Sequence, residues 1–369
     1  MGIRLPESHR FMKMIVNESA HEPIGWSDEA RRFEFESWLA SLNEHRVDAS
    51  SLRAASADAS FRRYFRIDAP AEHTSYIVMD APPPHEDVRP FVQIAGLIAQ
   101  AGLHAPVVVA SDVERGFLLL TDLGAKPYLE ALRTAVAQGE QQRADTLMRE
   151  GFNALVQWQQ RVESVALPPY DDALLRRELA LFPDWCVTRE YGVAWDSSRL
   201  EQWRCACDLL VRSALAQPTV AVHRDWMPRN LMVSEPNPGI LDFQDAVRGP
   251  ITYDVASMLR DAFISWDEEQ ELDWAVRYWQ QARKAALPVG DDFGEFWRQL
   301  EWMGLQRHLK VLGIFCRLKH RDGKPKYSED LPRFFAYAHR VCTRYNGLGA
   351  LAALIEPLAG TERRAGYTF

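Results

Sequence analysis

The stretch that most restricts the fold runs from Thr219 to Ala256, TVAVHRDWMPRNLMVSEPNPGILDFQDAVRGPITYDVA. Three apolar runs, Thr219 to Val222, Leu231 to Val233 and Ile240 to Leu241, are too short for helices and predict strands. A polar loop, His223 to Asn230, and a Pro/Gly turn, Glu235 to Gly239, separate them. Asp225, Asn230 and Asp242 stand where strands stop, with no apolar face to complete.

The spacing has a chemical reading. An Asp in His-Arg-Asp, an Asn five residues on, and a second Asp twelve beyond that suit phosphoryl transfer. That reaction needs a carboxylate to orient an acceptor hydroxyl and take its proton, the role expected for Asp225. It also needs oxygen ligands that hold Mg²⁺ against nucleotide phosphates, the role expected for Asn230 and Asp242. The plainer alternative is a polar loop with capping Asp and Asn side chains, which a lone His-x-Asp would favour. His223 and Arg224 read as supports, because a His beside such a base most often satisfies backbone groups of its own loop. Asp254 is expected at a helix start, as a cap or as a bond to the loop. Asp245, three residues after Asp242, is expected to touch a second metal or to support the first.

On the segments FRRYF, VMDAPPP, ERGFLLLTDLG, HRDWMPRNLM and LDFQDAVRGPITYDVASMLRDAF, the chain resembles the aminoglycoside phosphotransferase/choline kinase-like superfamily. The branch it is most similar to is the anomeric N-acetylmuramate/N-acetylglucosamine kinases of bacterial cell-wall recycling. The resemblance covers roughly Glu29 to Tyr345. It implies an α+β, bilobal protein-kinase-like fold with a small β-rich N-lobe (27–122) and a larger, mainly helical C-lobe (123–369), after an extension over residues 1–26. It also implies ATP and Mg²⁺, adenine held by main-chain groups at Thr121 and Leu123, and Glu178 bordering the acceptor pocket. On its own, Glu178 reads as a solvated helical residue.

One departure stands out. Most relatives carry a Lys in the third strand, paired with a Glu on the next helix. SYIVMD has no Lys and RPFVQIAGLIAQAG has no Glu. Their joint absence is coherent, since either alone would be an unpaired charge. Arg63 and Arg66 are then the candidates for the phosphates, because guanidinium binds phosphate oxygens bidentately. The alternative places both on a solvated strand face.

Elsewhere, Ser27 to Asn43 predicts an amphipathic helix with Phe35, Trp38, Leu39 and Leu42 inward, capped by Ser27 or Asp28. A polar Ala/Ser-rich stretch follows, then a hairpin from FRRYF to Ser75–Met79. Pro106 to Ala110 and Gly116 to Thr121 predict two more strands. Helices are expected over Glu140 to Val162, Ala173 to Trp185, Leu200 to Leu215, Glu268 to Ala286 and Asp292 to His320. Their aromatic stripes read as core. The basic segment RLKHRDGKPKYSED is expected as a loop, with Lys324 and Lys326 as weak candidates for an acceptor carboxylate.

The 369 residues carry a net charge of −8, which argues against a nucleic-acid footprint. No apolar run approaches the ~20 residues of a membrane span. MGIRLPESHRFMKMIVNES lacks an apolar core of export-signal length, and Met12 or Met14 could be the true start. Five cysteines, an odd count, suggest reduced thiols and a bacterial cytoplasmic setting. Cys205-Ala-Cys207 reads as packing rather than metal binding. The expected partners are an amino sugar and ATP, with no nucleic acid, membrane or obligate protein partner. Other readings are a kinase for an aminoglycoside or amino alcohol, and a non-catalytic nucleotide-binding protein, which the absent Lys–Glu pair favours.

Overall fold

The computed structural model describes residues 24–26, 28–57 and 61–360. Ser27, residues 1–23 and the 361–369 tail lie outside that range, so the readings made for them stay expectations. In chain order the first elements are α1 (Glu29–Ser41), β1 (Asp48–Ala57), β2 (Arg63–Ala69), β3 (Thr74–Asp80), α2 (Arg89–Gln100), β4 (Val108–Asp112) and β5 (Phe117–Thr121). There follow α3 (Tyr128–Gln138), α4 (Gln141–Arg161), α5 (Asp172–Leu181) and α6 (Ser197–Leu215). β6 (Thr219–Val222), β7 (Leu231–Met232), β8 (Gly239–Ile240) and β9 (Val247–Pro250) come next. The chain ends in α7 (Tyr253–Leu259), α8 (Glu268–Lys284), α9 (Phe293–His320), α10 (Leu331–Arg344) and α11 (Gly349–Ala359). They divide into two compact units, one reaching Val88 and resuming over Val108–Asp122, the other Arg89–Val107 with everything from Leu123.

The first unit is an antiparallel sheet, ordered β1-β2-β3-β5-β4. Asp28 caps α1 by accepting from the N–H groups of Ala30 and Arg31 at 2.9 and 3.4 Å. The helix then turns Phe35, Trp38, Leu39 and Leu42 onto Phe65, Ile67, Val78, Phe117 and Leu119 of the sheet. These positions recur at helical spacing on α1 and at every second residue on the strands, so one face of each meets. Burial of each large side chain contributes about 1.5–3 kcal/mol. The sequence did not announce β1. Its Ala/Ser-rich residues form an edge strand, where few apolar contacts are demanded and the hydrogen bonds to β2 carry the pairing.

The second unit is mainly helical, and α9 is its axis, with Leu300, Leu305, Leu309, Leu312 and Cys316 fully enclosed. α5 continues into a π-helical segment, Phe182–Glu190. Where α5 ends, Gly313 of α9 faces Leu181. A Cβ on Gly313 would lie less than 3.0 Å from the Leu181 backbone. Glycine is therefore what lets α5 and α9 approach backbone to backbone. Arg260, fully buried, bridges Glu271 of α8 and Glu301 of α9, each at 3.1 Å. Cys207 is buried within α6 and Cys205 exposed, and all five cysteines are free thiols. No described helix is long and apolar enough to cross a membrane.

Candidate active site

Two short antiparallel pairs build the loop on which the site rests. β6 pairs with β9, so Val222 lies opposite Val247. β9 was not among the strands expected from the sequence. β7 pairs with β8 in the register Leu231 to Ile240. That register places Asn230 beside Leu241, whose N–H donates to the Asn230 carbonyl at 2.9 Å. Asp242 is the next residue. Strand pairing thus turns a twelve-residue separation in sequence into a contact, with Asn230 Nδ2 donating to Asp242 Oδ2 at 3.2 Å. The same amide nitrogen donates to the Asp225 main-chain carbonyl at 3.0 Å. One side chain therefore fixes both the loop that carries Asp225 and the carboxylate of Asp242. Gln244 holds the other Asp242 oxygen at 2.9 Å.

The loop is stressed and well braced. Arg224 and Asp242 have φ of 76° and 63°, in the left-handed region. For residues with a side chain this conformation costs on the order of 1–3 kcal/mol each. Asp254 offsets it: the carboxylate accepts from the N–H of His223 at 2.7 Å and of Arg224 at 3.0 Å. Asp254 does not cap α7, whose N-cap Thr252 makes no side-chain cap. Of the two roles expected for Asp254, the bond to the loop is the one present. Burial pushes its carboxyl up to about 7, against the pull of those two N–H groups. His223 is enclosed edge-on by Trp158 and Trp226, and its Nδ1 accepts from the Asp225 N–H at 3.3 Å. Burial holds its pKa down to about 4, although the Asp225 carboxylate pulls the other way. A neutral imidazole with Nδ1 already engaged braces the loop. Among the described residues nothing hydrogen-bonds the Asp225 carboxylate itself, which leaves it free for a substrate. Asp245 is exposed, and its carbonyl rather than its carboxylate meets Arg224, at 3.4 Å.

Glu178 corrects the expectation of a solvated helical face, being only 4% exposed. Its Oε1 binds Arg224 Nη2 at 2.6 Å and Lys310 Nζ at 2.9 Å. Its Oε2 accepts from the Tyr170 hydroxyl and from Gln306 Nε2 at 3.5 Å. Burial raises the Glu178 pKa, but Lys310 and Arg224 outweigh it and hold the carboxyl at about 2. Burial likewise draws the Lys310 ammonium down, while Tyr253 and Glu178 raise it by more, so it stays charged. Lys310, Tyr170 and Gln306 carried no motif, and Tyr253, although inside one, was not singled out. The available signal was a polar spacing, Gln306 and Lys310, one turn apart among the mixed polar and apolar residues of α9.

This pairing has a pH consequence. The Glu178 carboxyl is at about 2 in the folded chain against an ordinary 4.5, so between these values the folded chain binds fewer protons than the unfolded one. The stability it contributes is complete above pH 4.5 and is lost as pH falls towards 2. Denaturant midpoints of wild type and Glu178→Gln are therefore expected to converge below pH 4.5. A gap that stays constant from pH 6 to 3 would contradict the assignment.

Arg63 and Arg66 lie in the first unit, and both are engaged by carboxylates. Arg63 Nε binds the fully buried Asp80 at 3.0 Å, alongside Arg31 Nη2 at 2.6 Å, and stacks over Trp26. Arg66 Nη2 binds Asp122 at 3.0 Å, with Ser75 on the same carboxylate. Both arginines are half-buried rather than fully solvated, and each neutralises one of these two aspartates. β3 has no Lys and α2 no Glu, as read from the sequence. Thr121 ends β5, paired with Tyr76, and Leu123 opens the second unit with its side chain buried against Gly239. In the basic segment, Lys319 and His320 pair with Glu190.

The donor set suits Mg²⁺. Among the described residues no cluster of three or more His, Cys, Asp or Glu could hold a metal. One carboxylate and one amide oxygen are the sparse hard-oxygen set that Mg²⁺ accepts when phosphates and water complete its shell.

The profile of the Phosphotransferase enzyme family, APH, matches residues 51–293, and the chain belongs to this family. It is a kinase-family phosphotransferase. A protein of Pseudomonas aeruginosa named N-acetylmuramate/N-acetylglucosamine kinase is 49% identical over 340 residues, 90% of this chain and 98% of that one. One of the same name from Pseudomonas putida is 51% identical over 317 residues, 86% of this chain and 91% of that one. Among solved structures, choline kinase from Cryptosporidium parvum has a TM-score of 0.57 at 10% identity, covering 87% of this chain and 99% of that one. A small antiparallel sheet unit with a larger helical one is thus the α+β protein-kinase-like fold.

Proposed function

We propose that the chain transfers the γ-phosphoryl group of ATP to the anomeric hydroxyl of N-acetylmuramate or N-acetylglucosamine, giving the sugar 1-phosphate. The observation that carries this is the Asn230 amide, which ties the Asp225 loop to the Asp242 carboxylate. The amino sugar as acceptor is supported by relatives near 50% identity that bear that name along almost their whole length.

In this reading the Asp225 carboxylate orients O1 of the sugar and accepts its proton as O1 attacks phosphorus. The anomeric hydroxyl is more acidic than a ring hydroxyl, so a carboxylate base suffices. The Asn230 and Asp242 oxygens hold Mg²⁺, which when bound neutralises charge on the phosphates. His223 supplies no proton and braces the loop. Main-chain groups at Thr121 and Leu123 hold adenine, as the family resemblance implies, and Asp245 stands by as a support for the metal site.

The test is ADP release over a panel of amino sugars, amino alcohols and aminoglycosides, followed by phosphorus NMR of the product. Phosphate on C1 of an amino sugar is expected; phosphate on C6, or turnover confined to another acceptor, refutes the proposal. For the metal site, Asn230→Ala is expected to raise the Mg²⁺ concentration for half-maximal velocity by about tenfold or more, within the 10–100-fold that even outer partners of a bound ion control. An unchanged Mg²⁺ titration would remove Asn230 from the ligand set.

A further inference from the structure

We infer that Lys310, eighty-five positions beyond Asp225 in sequence, is a positioning residue for the transfer, acting on the Asp225 loop through Glu178 and Arg224. The inference rests on the function proposed above and assigns a role to a residue outside every motif of the chain.

The argument is one of connectivity. Arg224, the residue before Asp225, holds a left-handed backbone, and three contacts fix it: the Asp254 carboxylate on its N–H, Glu178 on its guanidinium and the Asp245 carbonyl. Among the hydrogen bonds and ion pairs of the described residues, only the Glu178 contact comes from outside the 223–254 segment, and the Tyr170 ring, itself bonded to Glu178, lies 5.9 Å from the guanidinium. Glu178 Oε1 takes Arg224 and Lys310 together, and Lys310 also donates to the Tyr253 hydroxyl at 3.1 Å. Tyr253 adjoins Asp254, which holds the loop from its other side. Lys310 therefore touches both braces of Arg224, the one on its side chain and the element bearing the one on its backbone.

The charges also close. Glu178 alone, buried beside Arg224, forms a pair; Lys310 adds a second cation within reach of the Asp225 carboxylate, which contributes to keeping that ammonium charged. The side chains of Lys310 and Arg224 are 13% and 18% exposed, so these interactions are little screened by solvent. α9 delivers Lys310 to this spot because Gly313, one turn on, lets it press against α5 at Leu181, one turn beyond Glu178.

A positioning role predicts that misplacing the loop lowers turnover more than binding. Lys310→Met is expected to lower kcat by about 10- to 100-fold, the effect of a small displacement at a reacting group. KM for ATP and sugar should stay within about threefold. Amide exchange over 223–227 should quicken while that of α10 stays as in wild type, and Lys310→Arg should restore both kcat and protection. Should Lys310→Met not fold, Lys310→Gln carries the same comparison. A kcat within twofold of wild type with unchanged exchange overturns the inference. A KM raised about tenfold at unchanged kcat does so too, because Lys310 would then be a binding contact, and so does an Arg variant as impaired as Met. Wild-type turnover on the amino sugars is read first. Its absence refutes the proposed acceptor, while the exchange comparison still decides the role of Lys310.

Discussion

Asp225→Asn is expected to lower kcat by about 10²–10⁴-fold, the range that a positioned general base supplies. Its thermal midpoint should match wild type. The separation follows from the geometry: Asp225 serves the fold through its main chain, by a carbonyl that accepts from Asn230 and from the Met227 N–H and an N–H that meets His223. Its carboxylate has no hydrogen-bond partner among the described residues, so exchanging one oxygen for an amide removes the base and leaves the hydrogen-bonded scaffold in place. KM for ATP is expected to change little, because the residues proposed to hold the nucleotide do not include Asp225. Turnover within tenfold of wild type would mean that another group takes the proton, and the assignment of Asp225 would fail.

Gly313→Ala is expected to lower the stability of the second unit markedly. The added carbon meets the Leu181 backbone, which cannot swing aside as a side-chain end could. Overpacking of this sort costs about 1–3 kcal/mol, and more where the backbone must move. For a unit of this size each kcal/mol shifts the midpoint by about 2–4 °C. Calorimetry should therefore show a fall of several degrees. Activity should fall as well in the fraction that stays folded, because separating α9 from α5 stretches Lys310 away from Glu178. Gly96, on α2, has nothing within 4 Å of where its Cβ would lie, and Gly96→Ala is the control expected to leave the midpoint at or above that of wild type. Equal effects at the two glycines would show that the close approach at Leu181 is not what matters.

These predictions mark where the sequence was readable. Asp225, Asn230 and Asp242 were legible because their relation is local: two short strand pairs bring them together within a few tens of residues, and the apolar runs display those strands. The α1 stripe was legible for the same reason, since its period shows directly which face is inward. Glu178 was not, because its partners Arg224 and Gln306 lie 46 and 128 residues away and no local pattern records such contacts. Helical Glu is usually solvated, so the prior pointed outward. The ion pairs of Arg63 and Arg66 were hidden for a related reason. Their charge was visible, but the aspartates that consume it, Asp80 and Asp122, sit at strand ends where they read as turn residues. β1 escaped because an edge strand can be made of almost anything polar and small.

The contacts of the second unit are strung along α9. It is one uninterrupted helix of 28 residues, and along it Glu301 meets Arg260, Lys310 meets Glu178, Gly313 admits Leu181 and Lys319 meets Glu190. Each residue of a helix advances the azimuth by about 100°. Inserting or deleting a single residue between Glu301 and Lys310 would therefore swing every later contact to the wrong side at once, whereas point substitutions disturb them one by one. Among natural variants of this chain, length changes should collect in the loops before and after α9 and be missing from its interior.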